Sequence, residues 1–159
     1  WNSTTGREDA VLGDALVADP NAEKLHEVVS DRADLTRRLD HFLTESESII
    51  PEASKALACG DLERFGRMAD ESQRAAEDLL GNQVPQTSAL ARIARELGAT
   101  GATSFGAGFG GSVWALVPNA EAPEFASTWL GKYRDEYSEE AGQAVTVVTR
   151  PGPSARRLD

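Results

Sequence analysis

Histidine, cysteine and methionine are nearly missing from this 159-residue chain, which holds two His, one Cys and one Met. A single cysteine, Cys59, excludes an internal disulfide framework. With only His26 and His41 beside it, no transition-metal site built by the protein is expected. Cys59 lies in Ala56-Leu-Ala-Cys-Gly60 with no histidine nearby to activate it, so it reads as a buried, inert thiol. Long apolar runs are missing as well. Ser112 to Val117 is far short of the roughly 20 residues that span a bilayer. The opening Trp1-Asn-Ser-Thr-Thr-Gly-Arg7 has no signal-peptide character and does not begin with methionine, which leads us to expect a segment of a longer gene product. These absences predict a soluble chain of a reducing intracellular compartment, the cytoplasm, with no membrane partner.

Positive charge is scarce. The net charge of −10 arises from 26 acidic against 16 basic residues, and the notable basic pairs are Arg37-Arg38 and Arg156-Arg157. A nucleic-acid surface must neutralise phosphates with clustered Lys and Arg, so that class of partner is excluded. Glu71 with Glu77, and Glu139 with Glu140, read as solvated helix faces rather than acid–base machinery.

Glycine is the exception to this scarcity. In Gly101-Ala-Thr-Ser-Phe-Gly-Ala-Gly-Phe-Gly-Gly-Ser-Val-Trp-Ala-Leu-Val117, two strand-like segments flank six residues of which four are glycine. Without a Cβ, Gly106, Gly108, Gly110 and Gly111 can take positive φ and let a ligand or a second loop approach bare peptide groups. Gly106-x-Gly108-x-x-Gly111 has the spacing of a dinucleotide fingerprint, but that motif needs a helix next. Here Ser112-Val-Trp-Ala-Leu-Val117 reads as a buried strand. Gly106-x-x-x-x-Gly111-Ser112 also approaches a phosphate loop, yet the lysine before the hydroxyl residue is missing. A tight glycine turn between antiparallel strands needs only two residues, and the excess glycine favours close packing against a ligand or a second Gly/Ser-rich loop. The hairpin contains no acid, base or metal ligand. It can position a substrate, but it cannot do chemistry.

The rest of the chain reads as one domain of α+β class, with helices packed on one face of an antiparallel sheet. Residues 1–98 are mostly helical, 99–150 form the sheet around the hairpin at 106–111, and 151–159 are an irregular tail. Arg7 to Ser30 forms two short helices broken at Asp19-Pro20. A helix over Asp34–Ile50 carries Leu35, Leu39, Phe42 and Leu43, and Pro51 interrupts or ends it. Gly60-Asp61 punctuates and caps a longer helix that presents Leu62, Phe65, Met68, Ala69, Ala76, Leu79 and Leu80 and stops at Gly81-Asn82. A short helix from about Thr87 stops at Gly98. After the hairpin, Asn119 caps a helix with Phe125, Trp129, Leu130, Tyr133 and Tyr137, and Ala144-Val-Thr-Val-Val-Thr149 reads as another strand. This β-β-α-β order occurs in part of a ferredoxin-like sandwich. Trp114 and Trp129 read as core, and Ser72 as a residue that caps or bonds a neighbouring helix.

Several stretches taken in order resemble the C-terminal half of a GHMP-type small-molecule kinase, most of all a galactokinase. They are Glu45-Ser-Glu47, Gly60-Asp-Leu-Glu-Arg-Phe-Gly66, Asp70-Glu-Ser72, Val84-Pro85, Gly106-Ala-Gly-Phe-Gly-Gly111 and Pro153-Ser-Ala-Arg156. The resemblance runs from about Arg37 to Leu158 and implies a ferredoxin-like C-terminal domain. It implies phosphoryl transfer from Mg-ATP to a sugar hydroxyl, in a cleft between two domains. The Gly/Ser-rich phosphate motif, the catalytic aspartate and its arginine would lie in an N-terminal half. No Pro-x-x-x-Gly-Leu-Ser-Ser-Ser stretch exists in these 159 residues, so no catalytic residue is assigned here. By the same resemblance, Phe105, Gly106, Ala107, Gly108, Phe109, Gly110, Gly111 and Ser112 would sit near the phosphates and the acceptor sugar.

Three departures leave the substrate open. Thr103-Ser104-Phe105 replaces the Arg-Met-Thr of many galactokinases, Ser112 stands where cysteine is common, and Gln83-Val-Pro-Gln-Thr87 replaces an acidic turn. Phe105 either reshapes the pocket or fills core. A kinase for another sugar or small metabolite remains open, as does a non-catalytic ferredoxin-like module that binds a small ligand or a protein. Without a companion domain, the chain is expected to be inactive and to self-associate through uncovered apolar surface.

Overall fold

Three short helices open the chain: α1 (Asn2–Thr5), α2 (Leu12–Ala18) and α3 (Glu23–Val29). The computed structural model describes residues 1–152, apart from the side chain of Glu140, so the tail motif Pro153-Ser-Ala-Arg156 lies outside the described residues. The break between α2 and α3 falls at Asp19-Pro20, as the sequence indicates. There Asp19 Oδ2 accepts the Leu25 N–H at 2.8 Å, satisfying a first-turn donor of α3. Ala15, Ala22 and Leu25 bury themselves against Leu39 of α4 (Ala33–Leu43), with Trp1, Leu16 and Val29 around them.

His26 fastens α3 to α4. Its Nδ1 lies 2.7 Å from the Ala22 carbonyl and its Nε2 lies 2.7 Å from Asp40 Oδ1. Both partners accept only, so the protonated ring, donating from both nitrogens, is the form that satisfies them together. The Asp40 carboxylate, then the Ala22 carbonyl, raise its pKa above the ordinary histidine value, with a smaller contribution from Asp19.

α4 does not stop at Pro51. It passes through a π-helical turn (Thr44–Ile49) directly into α5 (Ile50–Cys59), which corrects the expected interruption. The wider turn has the Ile50 N–H reaching back five residues to the Glu45 carbonyl. Pro51, without a donor and with a ring that crowds the preceding turn, falls where the hydrogen-bond pattern is already changing phase. Glu45 on that turn accepts from the Ser72 hydroxyl at 2.6 Å, the helix-to-helix bond expected of Ser72. Cys59 is exposed rather than buried. It ends α5, and Ala56 is the residue of that last turn that points inward, at 1% exposure.

Asp61 caps α6 (Leu62–Ala75) by accepting the Arg64 N–H at 2.9 Å. A second π turn (Ala76–Leu80) follows and leads to Gly81. α7 (Pro85–Glu96) starts two residues ahead of Thr87, with proline in its first turn. The antiparallel hairpin pairs β1 (Gly101–Phe105) with β2 (Ser112–Leu116), Gly101 opposite Leu116 and Phe105 opposite Ser112. α8 (Ala122–Glu136) comes next. Its N-cap is Glu121 rather than Asn119, whose Oδ1 instead accepts from Arg150 Nε at 2.9 Å.

Ala91 and Ala94 of α7, with Ala99 and Ala102, form a buried cluster lined by Val113, Ala115, Phe125 and Trp129. Trp129 Nε1 donates to the Leu90 carbonyl at 2.9 Å, which satisfies its polar edge within the apolar contact. α6 lies alongside β1. A Cβ at Gly66 would fall on the Thr100 carbonyl, and the Phe65 ring stacks on Trp114 at 6.1 Å between centroids. Asp70 of α6 pairs with Arg95 of α7, accepting a hydrogen bond from Nη2 at 3.0 Å with Nε 2.8 Å from Oδ1, and Arg95 also reaches the Ala99 carbonyl. After a 3-10 turn (Glu140–Gln143), Ala144–Thr149 runs without strand pairing, so the sheet of the described residues is two-stranded. The run has strand composition, but Val145 and Val147 stand 80% and 81% exposed and meet no partner strand. The α+β class stands, with β-β-α present and the final strand absent.

Two measurements test this architecture. Because the folded His26 pKa is raised, its contribution is complete below the unfolded value and fades as pH climbs through the folded one. The gap in melting temperature between the wild type and His26→Gln should therefore be widest below the ordinary histidine pKa of about 6.5 and shrink as the pH is raised above it. In urea unfolding, Gly66→Ala should cost about 3 kcal/mol, because the obstacle is main chain and cannot rotate away.

Candidate functional site

The strands run out at Phe105 and Ser112, and the six residues between them turn the chain almost wholly in left-handed backbone. Gly106, Gly108, Gly110 and Gly111 have φ of 99°, 85°, 116° and 105°. Phe109 joins them at φ 59°, where a side chain carries a steric cost that something must hold in place.

What holds it is Asn82, delivered beside the loop by the second π turn and Gly81. The Asn82 carbonyl accepts the Phe109 N–H at 2.5 Å, and its Nδ2 donates to the Ala107 carbonyl at 3.2 Å. Gly108 lies between these two bonds, and a Cβ there would overlap both the Asn82 amide and its carbonyl. Glycine is required at 108 for two reasons, positive φ and close approach. Asn82, 9% exposed, is itself steadied from behind. Gln83 Nε2 donates to Asn82 Oδ1 at 3.0 Å, and the buried Thr87 hydroxyl lies 2.9 Å from Gln83 Oε1.

The incoming strand is anchored separately. The buried Gln73 of α6 uses Oε1 to accept the Ser104 N–H at 2.8 Å and the Thr103 hydroxyl at 2.9 Å. Its Nε2 donates to Glu77 at 2.8 Å. One side of the hairpin is thus fixed by Gln73 of α6 and by Asn82, just past the π turn that follows α6. Glu77 belongs to this network rather than to a solvated pair with Glu71.

The opposite face is open. Cβ atoms built at Gly106, Gly110 or Gly111 would meet nothing within 4 Å. Ser112 is exposed, and the Phe105 and Phe109 rings stand 58% and 76% exposed. Phe105 therefore does not fill core; with Gly111, Ser112 and Trp114 it is part of the lining of a cavity of roughly 1040 Å³ that extends along β2 to α8 and the segment 143–151. All eight residues singled out from the sequence, Phe105 through Ser112, lie together on this hairpin. Sequence reasoning missed Asn82 and Gln73. Asn82 looked like a helix stop, and Gln73 lay beside the recognised Asp70-Glu-Ser72 without a visible reason to be buried. The loop offers peptide N–H groups, one hydroxyl and two aromatic rings, and no ionisable side chain. Among the described residues, no group of three or more His, Cys, Asp or Glu converges where a metal ion could sit, and no helix is long and apolar enough to cross a membrane.

The two faces predict different tolerance at equivalent-looking glycines. Gly110→Ala should cost about 1 kcal/mol from backbone strain alone. Gly108→Ala should cost about 2 kcal/mol more through its collision with Asn82, as read from urea midpoints at unchanged m-value.

One stretch, from Glu52 in α5 to Asp135 in α8, contains α6, α7, the hairpin and both amides that hold it. Residues 52–135, just over half of the chain, match the family model described as "GHMP kinases C terminal". The chain therefore belongs to the GHMP kinase family through its C-terminal domain.

Proposed function

We propose that this chain is the C-terminal domain of an ATP-dependent sugar kinase that phosphorylates galactose at its anomeric hydroxyl. The observation that carries this reading is the loop 106–111, clamped on one face and bare on the other. In-line phosphoryl transfer depends on holding acceptor and donor at fixed separation. A neutral loop rich in peptide N–H groups suits a phosphate oxygen or a sugar hydroxyl without adding a side chain that would itself react. The sugar oxygen attacks the γ-phosphorus of Mg-ATP, the bond to the β-phosphate oxygen breaks, ADP leaves, and a base takes the hydroxyl proton.

Magnesium would stabilise the charge that develops on the transferring group. Its ligands and the base belong, on this reading, to an N-terminal half that carries the Gly/Ser-rich phosphate motif. The residues of this chain do the positioning. Gly106, Gly110, Gly111 and Ser112 face the reactants, and the exposed Phe105 and Phe109 rings offer apolar surface for a sugar face or a companion domain to cover. The Thr103 hydroxyl and the Ser104 N–H are taken up by Gln73, which leaves Phe105 and Ser112 as the departures from galactokinases on the hairpin with access to substrate.

The test is sugar-dependent ADP release by the protein from the full reading frame, with Mg-ATP and galactose, glucose, arabinose or galacturonate. Turnover on galactose is expected, and none from residues 1–159 alone. Turnover on a different sugar would replace galactose and point to Phe105 as the specificity element. Silence across the panel would replace the kinase with a module that binds a ligand or partner through the same loop.

A further inference from the structure

We propose that Asn82 is the positioning residue of the glycine loop, the group that selects one ligand-receiving conformation of residues 106–111. This rests on the kinase reading above for its ligand, but not for its geometry. Four glycines in six residues give the loop more backbone freedom than any other stretch of the chain, and an unrestrained loop would spend most of its time in shapes that bind nothing. A ligand's apparent affinity falls by the fraction of molecules in the competent shape. Something must remove that freedom before the ligand arrives.

Asn82 does so at the apex. Its carbonyl takes the Phe109 N–H and its amide nitrogen holds the Ala107 carbonyl, so residues on both sides of Gly108 are tied to one side chain and its own main chain. Phe109 is thereby kept in left-handed backbone, and its ring is directed to solvent on the open side. The residues behind Asn82 are Gln83 and Thr87. They brace the clamp: the Thr87 hydroxyl holds Gln83 Oε1, and Gln83, by donating to Asn82 Oδ1, leaves Nδ2 pointing at Ala107.

Asn82→Asp changes this with almost no change of shape. The carboxylate keeps the bond from Gln83 but sets a second acceptor against the Ala107 carbonyl. A protonated carboxyl could donate there again, so the defect should be relieved by acid. In the full chain, amide exchange of residues 106–112 should quicken in Asn82→Asp while that of α6 and α7 is unchanged. The KM of the reactant received by the loop should rise about tenfold, as for loss of one hydrogen bond, with kcat altered less. The ratio of variant to wild-type kcat/KM should climb toward one as the pH is lowered from about 8 to about 5, across the range where a carboxyl with a raised pKa gains its proton.

Unchanged loop exchange in Asn82→Asp would overturn the clamp. So would faster exchange with both KM values unmoved, or a defect indifferent to pH and accompanied by a lowered melting temperature. If the wild type itself turned over no acceptor, the kinase reading would fail. The exchange comparison would still decide whether Asn82 sets the loop.

Discussion

The contact on which the rest of this molecule depends is the meeting of α6 with the start of β1 at Gly66. No side chain separates the helix from the Thr100 carbonyl there, and a Cβ on Gly101 would in turn press on Gly66 Cα at 3.1 Å and Ala69 Cβ at 3.5 Å. Both backbones need a missing or minimal Cβ to come that close. Once they do, the two elements run in step. Seven residues of helix from Gly66 to Gln73 rise about 10.5 Å, and three residues of strand from Gly101 to Ser104 about 10 Å. Gln73 therefore arrives opposite Thr103 and Ser104, where it makes its bonds. A bulkier residue at Gly66 would lift the helix and lose that register along its whole length.

The second π turn extends the same logic to the loop. An α-helix continued without change from Ala75 would carry the chain past β1 in a straight line. The extra residue per turn and the left-handed Gly81 instead bring Asn82 back across the hairpin apex. The first π turn performs a related service upstream, presenting Glu45 to Ser72 so that α4, α5 and α6 share one fixed arrangement. Both irregularities lie where a straight helix would miss a partner. The irregular turns of this fold are thus part of how the hairpin is held, and the strained Phe109 is the residue that the arrangement over-determines.

Much of this was legible in the sequence because it rests on local chemistry. Gly60-Asp61 announces a helix end and a cap. Asp19-Pro20 announces a break, and the four glycines between two β-branched, aromatic segments announce a hairpin with positive φ. What was not legible depends on neighbours far away in the chain. Pro51 reads as a breaker until the hydrogen-bond phase of the turn before it is known. Cys59 reads as buried because its neighbours are apolar, yet a helix end can face either way. Ala144–Thr149 has every local mark of a strand, and a strand is defined by a partner that composition does not supply. Asn82 and Gln73 escaped notice for the same reason, since an amide side chain reveals its role only through the groups it meets.

The composition of the core explains why so small a set of polar bonds decides the shape of the site. Alanine supplies most of the buried apolar residues, including Ala69, Ala91, Ala94 and Ala102 around the hairpin, and no large side chain is fully enclosed among the described residues. Small residues let helices and strands approach closely, but they interlock weakly and tolerate sliding more readily than large interdigitated side chains do. Directional contacts must then fix the register. Arg95 on Asp70 sets α7 against α6, Gln73 sets α6 against β1, and Asn82 sets the π turn against the loop. The Phe105 and Phe109 rings, by contrast, remain at the surface beside the bare glycines. A loop built this way is stiff toward its own domain and accommodating outward, which is the combination that a positioning surface requires.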